Sequence, residues 1–323
     1  MTPLPDDARP TAVGSAVKVL YIAGWQRSGS TLAANLMGEL PGYFHAGELY
    51  YLWDYVWHDN TLCGCGRRFH DCPLWSAVIA TAYPEGVDAD WMRAAATDTT
   101  RTRRMAGLAW PASRERRLAE AETFRRSLDR VYRAIATVTG AAVIIDSSKW
   151  PSYGLLLDAS SAVDLRVLHL VRDPRAVAHS WLRRKQLIDR PDQHLEMYRS
   201  PAASSARWLV WNLAVEAYWR EPSDDVVRLR YEDLVAAPGR ELLAALERLG
   251  LPAGSLPLVS SHEARLGPNH TVSGNPDRLR HGVTRIRSDD EWRRSLPVRH
   301  RLTVDALTLP LMWRYGYRVR VGV

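Results

Sequence analysis

Apolar positions follow two alternating periodicities along the chain. Val17–Gly24 ("VKVLYIAG") is a continuous apolar run closed by glycine, the pattern of a strand covered on both faces in a parallel sheet. Ser30–Leu40 places Leu32, Leu36, Met37 and Leu40 on one helical stripe. Ala141–Ser148, Leu165–Asp173 and Val226–Leu234 repeat the strand pattern. Helical spacing occupies Ser152–Leu157, Pro174–Lys185, Ser204–Trp219 and Arg240–Leu249. Strands alternating with helices predict an α/β fold, a three-layer P-loop-like domain around a mostly parallel sheet. Residues 1–16, rich in Pro and Ala, are expected to be a disordered lead-in, and 17–323 a single domain. Residues 88–140 form a helical, arginine-rich insertion. It is expected over the carboxyl ends of the strands, the active-site side, where ligands bind in open α/β sheets. Most of its arginines are assigned to solvated faces with i,i+4 pairs such as Glu122–Arg126.

Apolar residues at 46% and charged residues at 24% are those of a globular chain. No apolar run approaches the roughly 18–20 residues a membrane span needs, so no membrane partner is expected. The first residues lack the basic and apolar regions of a secretory signal, and a cytoplasmic protein is expected. Lys and Arg number 43 against 36 Asp and Glu, a net charge of +7 carried mostly by Arg. Clustered guanidinium forks suit phosphate and sulfate groups. No helix-turn-helix, zinc-finger or ribonucleoprotein motif supports a nucleic-acid partner.

The three cysteines, Cys63, Cys65 and Cys72, all lie in "CGCGRRFHDC". An odd count argues against a disulfide framework. With His70 the group could supply four zinc ligands. Against that, the C-x-C spacing is tight and no second pair follows. The reading carried forward is a glycine-rich turn with small buried thiols, ahead of a helix starting near Pro73, and no metal at the functional site.

Gly24–Thr31, "GWQRSGST", has Walker A spacing, but Ser30 stands where a nucleotide triphosphatase places its lysine. A helix N-terminus after such a turn offers free N–H groups and a positive dipole end to a phosphate. Ser28, Ser30 and Thr31 add hydroxyls and Arg27 a charge. In "LHLVRDPRAVAHS" Arg172 sits at a strand tip, Asp173 has the look of an N-cap before Pro174, and Ser180 follows two turns on. A phosphate would bridge Arg172 and Ser180.

These motifs, in this order, resemble the PAPS-dependent sulfotransferases (PAPS, 3′-phosphoadenosine 5′-phosphosulfate), over roughly Val17 to Trp292. In that family R/K-S-G-[ST]-[ST] binds the 5′-phosphosulfate, here Arg27-Ser28-Gly29-Ser30-Thr31. An Arg at a strand end and a Ser eight positions on bind the 3′-phosphate, here Arg172 and Ser180. A "YEDL" segment beginning at Tyr231 follows on a later strand. The chain is most similar to the branch that includes tyrosylprotein sulfotransferases and many bacterial enzymes. That resemblance implies Glu48 of the Gly47-Glu48 pair as general base, twenty-one positions after Arg27, Lys149 of "DSSKWP" as a catalytic cation, and Ser273 in a late glycine-containing loop. It implies further that Arg280-His281-Gly282, with Arg278 as the alternative arginine, wraps the 3′-phosphate.

The expected activity is transfer of a sulfuryl group from PAPS to a hydroxyl of a small-molecule acceptor. A carboxylate base would take the acceptor proton, and Arg27 and Lys149 would stabilise charge on the leaving oxygen. His45 is the second candidate for the base. Trp25 and Trp53 are expected near the site, and residues 183–203 are expected to wall it. A P-loop nucleotide kinase or a noncatalytic nucleotide-binding protein remains the alternative.

Overall fold

The computed structural model describes residues 16–100, 111–183, 200–220 and 223–318. Strands β1 (Val17–Ala23), β2 (Tyr43–Gly47), β3 (Val143–Lys149), β4 (Val163–Val171) and β5 (Val226–Arg230) form one parallel sheet in the order β2-β3-β1-β4-β5. Helices α1 (Ser30–Gly38), α2 (Pro73–Ala82), α3 (Ala89–Thr100), α4 (Pro111–Glu120), α5 (Glu122–Thr139), α6 (Pro151–Asp158), α7 (Pro174–Leu182), α8 (Pro201–Tyr218), α9 (Tyr231–Ala236) and α10 (Pro238–Arg248) connect and cover it. A small antiparallel sheet follows, β6 (Leu258–Ser260), β7 (Glu263–Leu266) and β8 (Gly282–Arg285), then α11 (Trp292–Ser295) and α12 (Val298–Arg314).

Strand β1 explains the layering. Val19, Tyr21 and Ala23 face a core completed by Phe124, Leu128, Val131 and Ile135 of α5 and Leu155–Leu157 of α6. Leu20 and Ile22 face the opposite core, with Leu36 and Met37 of α1, Leu234 of α9 and Leu242 and Leu246 of α10. Burial on both faces removes the polar alternation a one-sided sheet would show, which is why the run read as continuous.

The structure adds a fifth strand. Tyr43–Gly47 pairs with β3, but its five residues contain His45 and Gly47, and periodicity over so short a stretch is weak. It also shortens the fourth predicted strand, because pairing with β4 ends at Val171–Arg230. Tyr231 therefore opens α9 instead of continuing a strand, with Glu232 and Asp233 in the first helical turn, where acids suit the helix dipole.

The insertion divides in two. Helix α5 lies on a sheet face, and α3 ends with Thr100 hydrogen-bonded to Tyr50 (3.2 Å), beyond the tip of β2. The Glu122–Arg126 pair forms at 2.7 Å. The lead-in at 1–15, residues 101–110 of the insertion and 184–199 of the expected wall lie outside the described residues.

Candidate active site

Every strand of the main sheet ends in a group with chemical potential. From one edge to the other these are Glu48 after β2, Lys149 ending β3, the loop 24–29 after β1, Arg172 after β4 and Tyr231 after β5. Parallel strands deliver their carboxyl ends to one rim, so residues up to 207 positions apart share it.

At the loop, Gly24 and Gly29 carry φ of 131° and 93°. A Cβ on Gly24 would stand 2.4 Å from the Leu170 carbonyl, and one on Gly29 would stand 2.4 Å from the Tyr231 ring. Both are therefore held to glycine by close approach as well as by φ. Gly29 is the N-cap of α1 and contributes no side-chain cap, so the first N–H groups of that helix face the rim. Ser28 is buried, and its Oγ has no hydrogen-bond partner among the described residues.

Arg172 rises from β4 over the Tyr231 ring, 4.3 Å from its centre, and donates to the Arg27 carbonyl at 3.0 Å. The Arg27 Nε donates to Ser180 Oγ at 3.0 Å. Asp173 caps α7, accepting from the Arg175 backbone N–H at 2.9 Å, which aims Ser180 back toward the loop. Burial pushes the Arg27 guanidinium down to about 10, aided by the charges of Arg172 and Arg183. Asp289 meets part of that positive charge, lying 2.9 Å from Arg172 and 2.6 Å from Arg183. Burial opposes ionisation of Asp289, but its bonds from the two arginines hold it below the ordinary carboxylate range.

On the other half of the rim, Glu48 and Lys149 form a buried ion pair at 2.5 Å. The Lys149 ammonium also donates to the Ser147 carbonyl at 2.7 Å. Behind them Asp146, fully buried, accepts from the Tyr132 hydroxyl at 2.5 Å and the Ser148 N–H at 2.8 Å. Burial raises this carboxyl to about 6, against those hydrogen bonds. The network fixes the end of β3 and so the base of Lys149. The late loop closes over the pair. Val272 donates to the Ala46 carbonyl at 3.1 Å, and a Cβ on Gly47 (φ 97°) would meet the Val272 and Ser273 backbone at 2.9 Å. Ser273 Oγ hydrogen-bonds Tyr55 at 2.5 Å, and Gly274 packs on the Glu48 carboxylate. Tyr51 stacks on Tyr55 and Tyr50 on Trp150, an aromatic group beginning directly after Glu48.

The model of the sulfotransferase family matches residues 20–254. The chain belongs to the sulfotransferase family. Its fold is similar to two solved sulfotransferase domains. One, from the olefin synthase of Synechococcus PCC 7002, is 21% identical with a TM-score of 0.54, covering 97% of this chain and 99% of that one. The other, from the curacin biosynthetic pathway, is 15% identical with a TM-score of 0.53, covering 95% and 100%. A search of curated proteins gave no match.

Within this sulfotransferase rim, Arg27, Ser28, Gly29, Ser30, Thr31, Arg172, Ser180 and Tyr231 share the loop corner, and Glu48, Lys149 and Ser273 the other. Three residues expected at the 3′-phosphate have partners within the protein. Arg278 is buried and donates to the Thr271 carbonyl at 3.1 Å and the Leu62 carbonyl at 2.8 Å, so it clamps the late loop. Arg280 is exposed and pairs with Asp277 at 3.1 Å. Its neighbour His281 contacts the Gly267 carbonyl, and Gly267 donates to Glu39, the C-cap of α1. Gly282 opens β8 and pairs with Leu266. The late segment that does reach the Arg172 corner is 287–289, where the Arg287 carbonyl accepts from Tyr231 and Asp289 binds Arg172.

His45 is buried with a pKa pushed down to about 3, first by burial and then by Lys149 and Arg278, which leaves it a poor proton acceptor. Trp25 and Trp53 are each 2% exposed and belong to hydrophobic cores, so neither presents a face to a ligand. Sequence reading missed Asp289 and Tyr55, while Arg183 opens the segment expected to wall the site. The "SDD" beside "TRIR" was the available signal for Asp289, since an acid next to an anion site needs a basic partner.

Proposed function

We propose that this sulfotransferase moves a sulfuryl group from PAPS to a hydroxyl of a small-molecule acceptor, with Glu48 as general base and no metal in the transfer. The observation that carries the reading is the division of one rim into an anion cradle and a buried carboxylate–ammonium pair. The cradle has the features a phosphosulfate and a 3′-phosphate require: a buried serine hydroxyl with no partner among the described residues, helix N–H groups, and two arginines, Arg172 buried and Arg27 half-buried. PAPS supplies, when bound, an activated sulfuryl group on a phosphate leaving group. Ser28, Thr31 and the N–H groups of α1 would hold the phosphosulfate, and Arg172 and Ser180 the 3′-phosphate. Glu48 takes the acceptor proton. Arg27 and Lys149 meet the charge that grows on the leaving oxygen, which a fixed cation stabilises without reorganisation. Tyr50, Tyr51, Tyr55 and Trp150 supply an aromatic wall for the acceptor.

The nucleotide-kinase alternative is disfavoured by Ser30, which occupies the position of the lysine that grips β- and γ-phosphates. Thermal melting separates the readings. At about one hundred times its Kd, adenosine 3′,5′-bisphosphate stabilises the fold by roughly 2.7 kcal/mol, several degrees in Tm, without Mg²⁺. ATP with Mg²⁺ leaves Tm within about one degree, because little of it is bound at equilibrium. The opposite ranking would overturn the proposal.

Arg172→Ala is expected to weaken bisphosphate binding about 10- to 100-fold, the loss of a charge-assisted hydrogen bond of roughly 1.5–3 kcal/mol. Arg280→Ala is expected to change it less than about twofold, as for an exposed ion pair. Isothermal titration of both variants checks the assignment; equal losses would return Arg280 to the donor site.

A further inference from the structure

Outside the transfer rim, three thiols and one imidazole converge on a point. The Cys72 Sγ lies 3.3 Å from His270 Nδ1, the Cys63 Sγ 3.7 Å from the same nitrogen, and the Cys65 Sγ 3.8 Å from Cys72 Sγ. All four ligand atoms fall within 4.8 Å of one another. A tetrahedral zinc centre with bonds of about 2.3 Å to sulfur and 2.0–2.1 Å to nitrogen has S···S edges of roughly 3.8 Å and S···N edges of roughly 3.6 Å. The three separations given lie within about 0.3 Å of those edges, and no pair of ligand atoms exceeds 4.8 Å. We propose that Cys63, Cys65, Cys72 and His270 bind one zinc ion in a closed, structural Cys3His site.

The surrounding backbone is built to hold this geometry. Gly64 donates to the Thr271 carbonyl at 2.9 Å, and a Cβ there would stand 1.8 Å from Asn269 Oδ1, so only glycine lets the Cys-Gly-Cys turn lie against the His270 segment. Cys63 donates to the Arg67 carbonyl at 2.8 Å, and Gly66 turns at φ 84°. Trp75 Nε1 donates to the His270 carbonyl at 2.7 Å and anchors the fourth ligand from α2. Packing of thiols as small apolar groups gives no reason for an imidazole nitrogen 198 residues away to meet them. His70, the fourth ligand suggested by sequence, is excluded, because its Nε2 contacts the Trp57 carbonyl at 2.9 Å. Zinc is the metal that suits three thiolates and one imidazole at a tetrahedral point. Binding releases the thiol protons to solvent and leaves a centre of net charge −1.

The site has a structural consequence. His270 stands three residues before Ser273, and Val272 pairs with the end of β2. The ion would therefore tie the Cys63–Cys72 turn to the late loop that covers Glu48. Metal binding itself does not depend on the donor or acceptor proposed above, and its failure would leave that reading intact.

The test uses the full chain, purified without chelators. Elemental analysis is expected to give about one zinc per chain, and Cys65→Ser and His270→Gln to lower that at least about tenfold, whereas His70→Gln keeps it. Cobalt(II) exchanged into the wild type is expected to show thiolate-to-cobalt charge transfer and the intense visible bands of a tetrahedral site. If the variants fail to fold, the zinc content and cobalt spectrum of the wild type decide. Folded wild type that takes up neither zinc nor cobalt, or that carries a Cys65–Cys72 disulfide by intact mass, would overturn the proposal. So would unchanged zinc in folded His270→Gln.

Discussion

Glu48→Gln is expected to lower kcat for sulfuryl transfer by about 10²- to 10⁴-fold, the usual contribution of a general base, while adenosine 3′,5′-bisphosphate affinity holds. The amide keeps an oxygen for the Lys149 hydrogen bond but cannot take a proton. The substitution also leaves Lys149 without its countercharge in a buried setting, 4% exposed. The melting temperature will therefore fall, and turnover must be read well below it. Acceptor acidity provides the check. A phenol bearing electron-withdrawing groups is already partly ionised and needs less base, so the loss should shrink as acceptor pKa falls. A merely structural Glu48 would give the same loss with every acceptor. Turnover equal to wild type would remove Glu48 as the base.

The halves of the rim differed in how far the sequence disclosed them. Arg27 through Thr31, and Arg172 with Ser180, are local arrangements. Each combines a strand end, a cap and a helix start within ten residues, and such signals survive without tertiary knowledge. The same holds for the buried strands, whose two-sided burial writes a continuous apolar run. The late loop is different. Its path is set by contacts that sequence spacing does not encode: Gly47 against Val272, Gly64 against Asn269 and the short antiparallel strands β6 to β8. "RLRHG" has the residue types of a phosphate loop, but Arg280 is exposed and paired with Asp277, and Asp289 is the late residue that meets Arg172. The tryptophans were ambiguous for another reason. Trp25 follows a strand end and precedes Arg27, yet it packs edge-on against Trp211, 4.8 Å between centroids, a partner nearly two hundred residues away. The fourth metal-site ligand was likewise invisible, because one histidine near the cysteines in sequence hid another near them in space.

Lys149→Met is expected to destabilise the fold by about 3–5 kcal/mol, since it strands the buried Glu48 carboxylate without its counterion. Pairing it with Glu48→Gln should recover most of that loss, because the double variant buries no net charge. Transfer activity should stay at the level of the weaker single variant, as the base and the cation are both gone. Stability and activity thus part company, and chemical denaturation beside kcat measures the split. A double variant whose loss equals the sum of the two single losses would show that the pair is not energetically coupled. The backbone gives a further reason to read Lys149 as functional. Among described residues only Arg27, Asn60 and Lys149 are non-glycine with positive φ, at 68°, 46° and 72°. Such a conformation costs roughly 1–3 kcal/mol where a glycine would relieve it. Two of the three are the cations assigned to the leaving oxygen, one at the tip of β1 and one at the adjoining tip of β3. Lys149→Gly should therefore be less destabilising than Lys149→Met, yet no more active. The strain is tolerated for the ammonium, and removing the ammonium removes the reason for it.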